Sequence, residues 1–254
     1  MTSAFPSTPT PAAPDVPDHQ RVRSYHPRRG RMTDAQRTAM EALWPVYGRD
    51  IDGEPLDLAE FFGSPRPVVL EIGFGMGDAT AAMAEADPGT GILGVDIHTP
   101  GHGNLLRLVA AKGLENVRVA QGDAVILLRD MLEPASLAGL RVYFPDPWPK
   151  KRHHKRRLIQ PEFLRLAVSR LAPGALVHCA TDWEPYAEQM LEVLSAEPGL
   201  VNAYPEGDGW APRPDWRPMT KFERQGLARG HVVRDLLFRR AGGPAPSAPR
   251  RPSA

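Results

Sequence analysis

Asp146 stands in the hexapeptide Phe144-Pro145-Asp146-Pro147-Trp148-Pro149, and Lys150-Lys151-Arg152-His153-His154-Lys155-Arg156-Arg157 follows at once. One carboxylate in a proline-stiffened aromatic frame is thus joined to an octapeptide with six Lys or Arg. Proline fixes φ, lacks an N–H and pushes the residue before it toward extended backbone. Phe144, Asp146 and Trp148 each precede a proline, so all three are expected in β or polyproline II geometry. Such a carboxylate suits a substrate met at one angle, and the cations suit a polyanion. Together they point to chemistry on a nucleic acid. Trp148 fits equally a platform for a stacked base or packing beneath the loop. His153 and His154 have no partner at metal-ligand spacing.

A second group lies upstream, in Glu71-Ile72-Gly73-Phe74-Gly75-Met76-Gly77. Its glycines allow a tight turn and close approach of backbone to a ligand. The spacing is G-x-G-x-G, whereas dinucleotide sites favour G-x-G-x-x-G. Glu71 beside the loop would repel a pyrophosphate but attract a cation. S-adenosylmethionine carries an ammonium and a sulfonium and no phosphate. Asp96 is placed to accept from ribose hydroxyls, and Asp123-Ala124 to lie near an adenine. Three acids in register with the loop indicate an S-adenosylmethionine site that includes Glu71, Gly73, Gly75, Asp96 and Asp123.

The elements that must position these groups alternate. Buried strands are read at 67–72, 92–96, 117–120, 139–144 and 175–180. Helices are read at 78–86, about 103–112, about 124–132, and from Pro161 to about Leu171, where Pro173-Gly174 closes it. Thr181 or Asp182 is expected to cap a helix through 195, and His231–Phe238 to form a last strand. Ahead of these, Thr33 and Gln36 fit a capping box that opens a helix ending near Trp44, before Pro45. Residues 51–65 read as a loop-rich lead-in. The alternation indicates a doubly wound α/β sheet. Right-handed crossovers would bring Glu71, Asp96, Asp123, Asp146 and Asp182 to one sheet edge, where ligands bind.

A chain of 254 residues has room for one sizeable core with extensions. Residues 1–23 and 241–254, rich in Pro, Ala, Gly, Ser and Thr, are expected to be disordered tails around a domain at 24–240. Net charge is only +1, so the cations form local patches: Arg21, Arg23, Arg28, Arg29 and Arg31 in an arm, and the run at 150–157. The single cysteine, Cys179, excludes an intramolecular disulfide framework and a multi-cysteine zinc site; its neighbours mark it as a core residue. No apolar run approaches the ~20 residues that span a bilayer, and no apolar signal core opens the chain. The expectation is a soluble, cytoplasmic protein with no metal and no membrane partner.

The chain resembles the bacterial tRNA (guanine-N7-)-methyltransferases of the TrmB family. The segments that carry the resemblance are 30–33 through 44–48, EIGFGMG at 71–77, GVDIHTPG at 94–101, FPDPWPKKRHHKRRL at 144–158, ATDWEPYA at 180–187 and RPMTKFERQG at 217–226. They span roughly 24–239; the 144–158 and TKFE motifs are highly specific, the glycine loop is not. The resemblance implies a class I, Rossmann-like S-adenosylmethionine-dependent methyltransferase fold with an antiparallel last strand. It implies methylation of guanine 46 in the tRNA variable loop. It assigns Glu71, Asp96 and Asp123 to the cofactor and makes Asp146 both catalytic and cofactor-contacting. It assigns Lys150, Asp182, Thr220, Lys221, Phe222 and Glu223 to the substrate, and Arg152, His153, His154, Lys155, Arg156 and Arg157 to RNA. The family usually has Glu where this chain has Asp96, one methylene shorter, so the ribose contact is expected to be shifted or water-mediated.

N7 of guanine has an in-plane lone pair and no proton, so methyl transfer to it needs no strong base. Asp146 is therefore expected to orient the base and stabilise developing positive charge. Recognition must leave N7 open, which points to the Watson–Crick edge, where N1–H and the N2 amine donate. Asp182 and Glu223 are the matching acceptors, with Lys150 and Lys221 on phosphate or O6. Rival readings are a methyltransferase for a protein or small molecule, a non-catalytic RNA-binding module, and a nucleotide-dependent oxidoreductase. The first leaves 150–157 and TKFE idle, and the second leaves the acids and loop unexplained. The glycine spacing and Glu71 oppose the third.

Overall fold

The apolar runs read from the sequence pair into one eight-stranded sheet in a computed structural model that describes residues 30–242. The tails and the arginines at 21, 23, 28 and 29 lie outside the described residues; Arg31 is exposed. The strands are β1 (Gly48–Asp50), β2 (Val68–Ile72), β3 (Gly91–Asp96), β4 (Val117–Gln121), β5 (Leu137–Tyr143), β6 (Leu171–Thr181), β7 (Leu200–Asn202) and β8 (Arg234–Arg240). Their spatial order is β1-β4-β3-β2-β5-β6-β8-β7. The first six pair in parallel, whereas β8 runs antiparallel to β6 and to β7. The expected doubly wound sheet with a reversed last strand is therefore present.

Both faces of the central strands are covered, which is why they read as unbroken apolar runs rather than alternating ones. Side chains on a strand alternate between faces. Ile92, Val117 and Val119 enter one core with Leu105, Leu106 and Val109, which belong to α4 (Thr99–Lys112). Leu93, Val95 and Ala120 enter the other, with Phe163, Leu164, Tyr186 and Met190 from α6 (Pro161–Arg170) and α7 (Glu184–Ala196). Cys179 is fully buried there, as expected. No helix among the described residues is long and apolar enough to cross a membrane.

Local departures have local causes. The capping box of α1 (Asp34–Tyr47) forms as read, Thr33 Oγ1 accepting from Gln36 N–H and Gln36 Oε1 from Thr33 N–H. The helix does not stop before Pro45 but carries it in its last turn. A proline there removes one helical hydrogen bond, and Gly48 N–H still closes on the Trp44 carbonyl. The lead-in at 51–65 is not all loop, since α2 (Leu58–Phe62) forms behind an Asp57 cap. Helix α3 (Asp78–Ala86) matches its expected span, and α4 starts four residues early with Pro100 in its first turn. After Asp123 a short α5 (Ala124–Ile126) passes into a π-helical turn at Leu127–Met131. Pro173-Gly174 does not end the α6 helix. The strand begins at Leu171, and the dipeptide sits in an irregularity where the β5–β6 register jumps from Leu137↔Leu171 to Gly139↔Leu176. The last strand begins at Arg234 rather than His231.

Candidate active site

A cleft of about 750 Å³ opens along the C-terminal edge of the parallel strands. Glu71, Asp96, Asp123, Asp146 and Asp182 all line it, as do Gly73, Gly75 and Thr220. The five acids arrive there because each ends or follows a parallel strand, as the alternation required.

The floor is the glycine loop. Gly73, Gly75 and Gly77 all have positive φ, at 78°, 60° and 80°. Helix α4 presses so closely that a Cβ on Gly101 would lie 2.0 Å from the Gly75 carbonyl oxygen. Asp96 holds the loop from the side. One carboxylate oxygen accepts from Gly75 N–H at 3.1 Å, and the other from Ile97 and His98 N–H at 2.7 and 2.9 Å. The shorter acid is thus bound to the loop it serves, a duty its sequence position did not disclose. Asp123 faces the cleft while its Oδ1 accepts from Val125 N–H at 2.8 Å and caps α5.

Glu71 is the anomalous group. Its side chain is buried, and Oε2 has no hydrogen-bond partner among the described residues. Burial raises its carboxyl from 4.5 to about 7, against the pull of the Arg141 guanidinium across the β2–β5 pair. A buried acceptor left without a partner is costly. At the wall of a cleft it fits a cationic group from outside the chain, such as the ammonium of S-adenosylmethionine. The residues present therefore suit that cofactor.

The wall opposite is the Phe144–Pro149 segment. Asp146 is half-buried and lines the cleft. The expectation of extended geometry fails for its two aromatic neighbours: Phe144 and Trp148 have φ of 50° and 45°. Positive φ is strained for bulky residues and persists only where surroundings over-determine it. Here Phe144 N–H is tied to the Ala180 carbonyl at 2.7 Å. Trp148 is 3% exposed, with the Arg156 guanidinium 4.9 Å from its ring centre. Trp148 therefore packs under the loop and is no stacking platform.

The basic run forms a short 3-10 helix, Lys151–Arg156. Arg152, Lys155 and Arg156 are exposed; His153 and His154 are half-buried. Arg157 must be removed from the RNA-contacting set. It is buried, donates to the Pro147 and Pro185 carbonyls and to Gln189, and lies over Tyr186. It is a strut that ties the Asp146 loop to α7. Lys150 is exposed outside the cleft lining.

The TKFE segment is a helix start, not a loop. Thr220 caps α8 (Lys221–Ala228), and Glu223 closes a capping box with it. That T-x-x-E pattern was legible in the sequence. Glu223 does not reach the cleft as an open acceptor. It is 2% exposed, and both oxygens receive N–H groups of Arg217 at 2.6 and 2.9 Å. The side chains of Lys221 and Phe222 lie outside the described residues.

Arg217 heads a buried chain that the sequence did not reveal. Its other N–H groups grip Asp235 at 2.8 and 2.9 Å. Asp235 Oδ1 lies 2.7 Å from His178 Nε2, and His178 Nδ1 lies 2.9 Å from the hydroxyl of Tyr143, which lines the cleft. Burial pushes His178 below its ordinary pKa, more than Asp235 can offset. A neutral imidazole that donates from Nε2 and accepts the Tyr143 hydroxyl at Nδ1 satisfies both contacts. Asp235 is held below the usual carboxylate range; burial opposes this, but His178 and Arg217 outweigh it. The chain fastens β6, β8 and the start of α8 behind the cleft.

Asp182 does not cap α7. Nor does Thr181, whose Oγ1 accepts from Trp183 N–H ahead of a helix that has no side-chain cap; Asp182 Oδ2 lies 3.0 Å from His231 Nδ1. Close packing brought them together: a Cβ on Gly226 would meet Asp182 Oδ2 at 2.9 Å. His231, Arg224 and Arg229 also line the cleft, and no motif singled them out. No group of three or more His, Cys, Asp or Glu suited to a metal occurs among the described residues.

The family model described as "Putative methyltransferase" matches residues 65–236. The chain is 70% identical over 221 residues to a tRNA (guanine-N(7)-)-methyltransferase of Streptomyces avermitilis, covering 87% of this chain and 76% of that protein. It is 69% identical over 222 residues to the like-named protein of Streptomyces coelicolor, covering 87% and 82%. For that of Bordetella pertussis the identity is 55% over 229 residues, covering 90% and 89%. Among solved structures, the 16S rRNA methyltransferase KamB superposes with a TM-score of 0.54 at 19% identity, over 74% of this chain and 95% of that one. That likeness concerns the fold alone, which is the class I methyltransferase fold.

Proposed function

This chain belongs to the tRNA (guanine-N7-)-methyltransferase family, and we propose that its strand-end cleft brings S-adenosylmethionine to guanine 46 of tRNA. Membership makes it an enzyme that methylates N7 of a tRNA guanine. The cofactor and the position are our reading: the partnerless Glu71 oxygen carries the cofactor, and the position rests on the motif resemblance alone. A buried carboxylate with an unused acceptor beside a glycine loop favours an onium donor over a dinucleotide.

S-adenosylmethionine, when bound, supplies an electrophilic methyl group on sulfur. Glu71 would hold its ammonium, Asp96 would accept from the ribose through acceptor sites not used on the loop, and Asp123 would face the adenine. Transfer of that methyl from sulfur to N7 would leave the purine cationic beside Asp146. No proton leaves N7, so Asp146 acts by orienting the base and stabilising that charge. Asp182 would read N1–H and the N2 amine. The open cations Arg152, Lys155 and Arg156, with Lys150, would take RNA phosphates. Glu223 supports the site through Arg217 rather than by touching the base.

The test is incubation of the purified protein with methyl-labelled S-adenosylmethionine and an unmodified tRNA transcript, with nucleosides identified by mass spectrometry and the position mapped by cleavage. 7-Methylguanosine at position 46 is expected. Label at another guanine would overturn the position. Absence of transfer despite a saturated donor pocket would overturn the cofactor pairing.

A further inference from the structure

We propose that Arg224 and Arg229, at the α8 side of the cleft, form a phosphate subsite for the nucleotide whose guanine enters; this rests on the reading above. Six carboxylates line the cleft: Glu71, Asp78, Asp96, Asp123, Asp146 and Asp182. Glu71 and Asp96 stand at the C-terminal ends of β2 and β3, and the other four on loops or helix starts after strands β2 to β6. Among the described residues, the lining contains two permanent cations, Arg224 and Arg229. Both belong to the other wall, in and just after α8. Thr220 and Arg224 are four residues apart and share a helix face, and both line the cleft.

The acidic wall suits a cationic donor and the donor edge of a purine, but it repels a polynucleotide backbone. A nucleotide that presents its base to Asp146 must turn its phosphate away from six carboxylates. The α8 wall is where compensating charge stands. Both arginines are exposed, and neither has an ion-pair partner among the described residues. Asp182, the acid nearest this wall, is engaged by His231 instead. Guanidinium groups are suited to bidentate phosphate contact. This subsite is separate from the exposed run at Lys151–Arg156, which lies outside the cleft lining.

The experiment measures tRNA affinity against salt for the wild type, Arg224→Ala/Arg229→Ala and Arg224→Lys/Arg229→Lys, with S-adenosylmethionine binding by calorimetry to report an intact cleft. Each lost phosphate contact should lower the slope of log K against log salt by roughly 0.7–0.9. From 50 to 200 mM salt the wild type should therefore lose about 7- to 12-fold more affinity than the double alanine variant. The lysine variant should keep the wild-type slope. A double alanine variant with normal cofactor binding and an unchanged slope overturns the subsite. A wild type that binds no tRNA instead removes the reading on which it rests.

Discussion

Replacing Glu71 with Gln should strengthen the ligand-free protein and weaken cofactor binding. The buried carboxyl ionises at about 7, against 4.5 for the ordinary group, chiefly because of desolvation. Below pH 4.5 the group is protonated in the folded and unfolded chain alike, and it costs nothing. Between 4.5 and 7 the unfolded chain ionises first, so the folded state loses stability as pH rises, and above 7 the loss is complete. The difference between 4.5 and about 7, at about 1.4 kcal/mol per pH unit, sets an upper limit of roughly 3 kcal/mol. Urea unfolding of Glu71→Gln should show a gain of up to that size at about pH 8 and none near pH 4. Cofactor binding should move the opposite way. If the ammonium needs the carboxylate, affinity follows its ionised fraction and falls about 15-fold from pH 7 to about 5.5. The ligand's α-amino group titrates near 8 and stays charged across that window. Titration calorimetry should show this slope in the wild type, and a flat profile with about 10- to 150-fold weaker binding at pH 7 in the variant, as expected for a lost charge-assisted hydrogen bond. A variant that binds as tightly as wild type with the same pH slope would refute the assignment of Glu71 to the ammonium.

Arg217→Met removes the guanidinium counter-ion of the buried Glu223 and Asp235 carboxylates, leaving them only the His178 and Thr220 hydrogen bonds, and should cost about 3–5 kcal/mol in denaturant unfolding at neutral pH; wild-type stability would show that the network carries no structural weight. Asp146→Asn should lower kcat by about 10²–10³ without changing the shape of the pH–rate profile, and loss of an ionisation limb would instead make Asp146 a general base. Combined alanines at Arg152, Lys155 and Arg156 should lower the salt slope of tRNA binding by roughly 2–3, and an unaltered slope would remove the run from the interface.

The parallel sheet and the acids at its edge were legible because both follow from short-range pattern. Apolar runs at strand length, separated by helical periods, leave few topologies. Right-handed crossovers then force Glu71, Asp96, Asp123, Asp146 and Asp182 to one side. The caps at Thr33 and Thr220 are likewise local, since a hydroxyl and a carboxamide or carboxylate three residues on satisfy N–H groups within one turn. Residues outside such patterns were decided by contacts between distant segments. Arg157 sits in a run of cations, yet it turns inward because the Pro147 and Pro185 carbonyls, Gln189 and the Tyr186 ring lie around it. Phe144 and Trp148 precede prolines, yet tertiary anchors hold them at positive φ. The His178–Asp235–Arg217–Glu223 chain joins residues up to 57 positions apart, and the Asp182–His231 contact joins residues 49 apart. The sequence by itself determined which side chains gather at the cleft, because strand direction is set by pattern. Only the tertiary structure decided which charges stay open to a ligand and which are spent on each other, because that depends on burial and on partners that meet only once the sheet has closed.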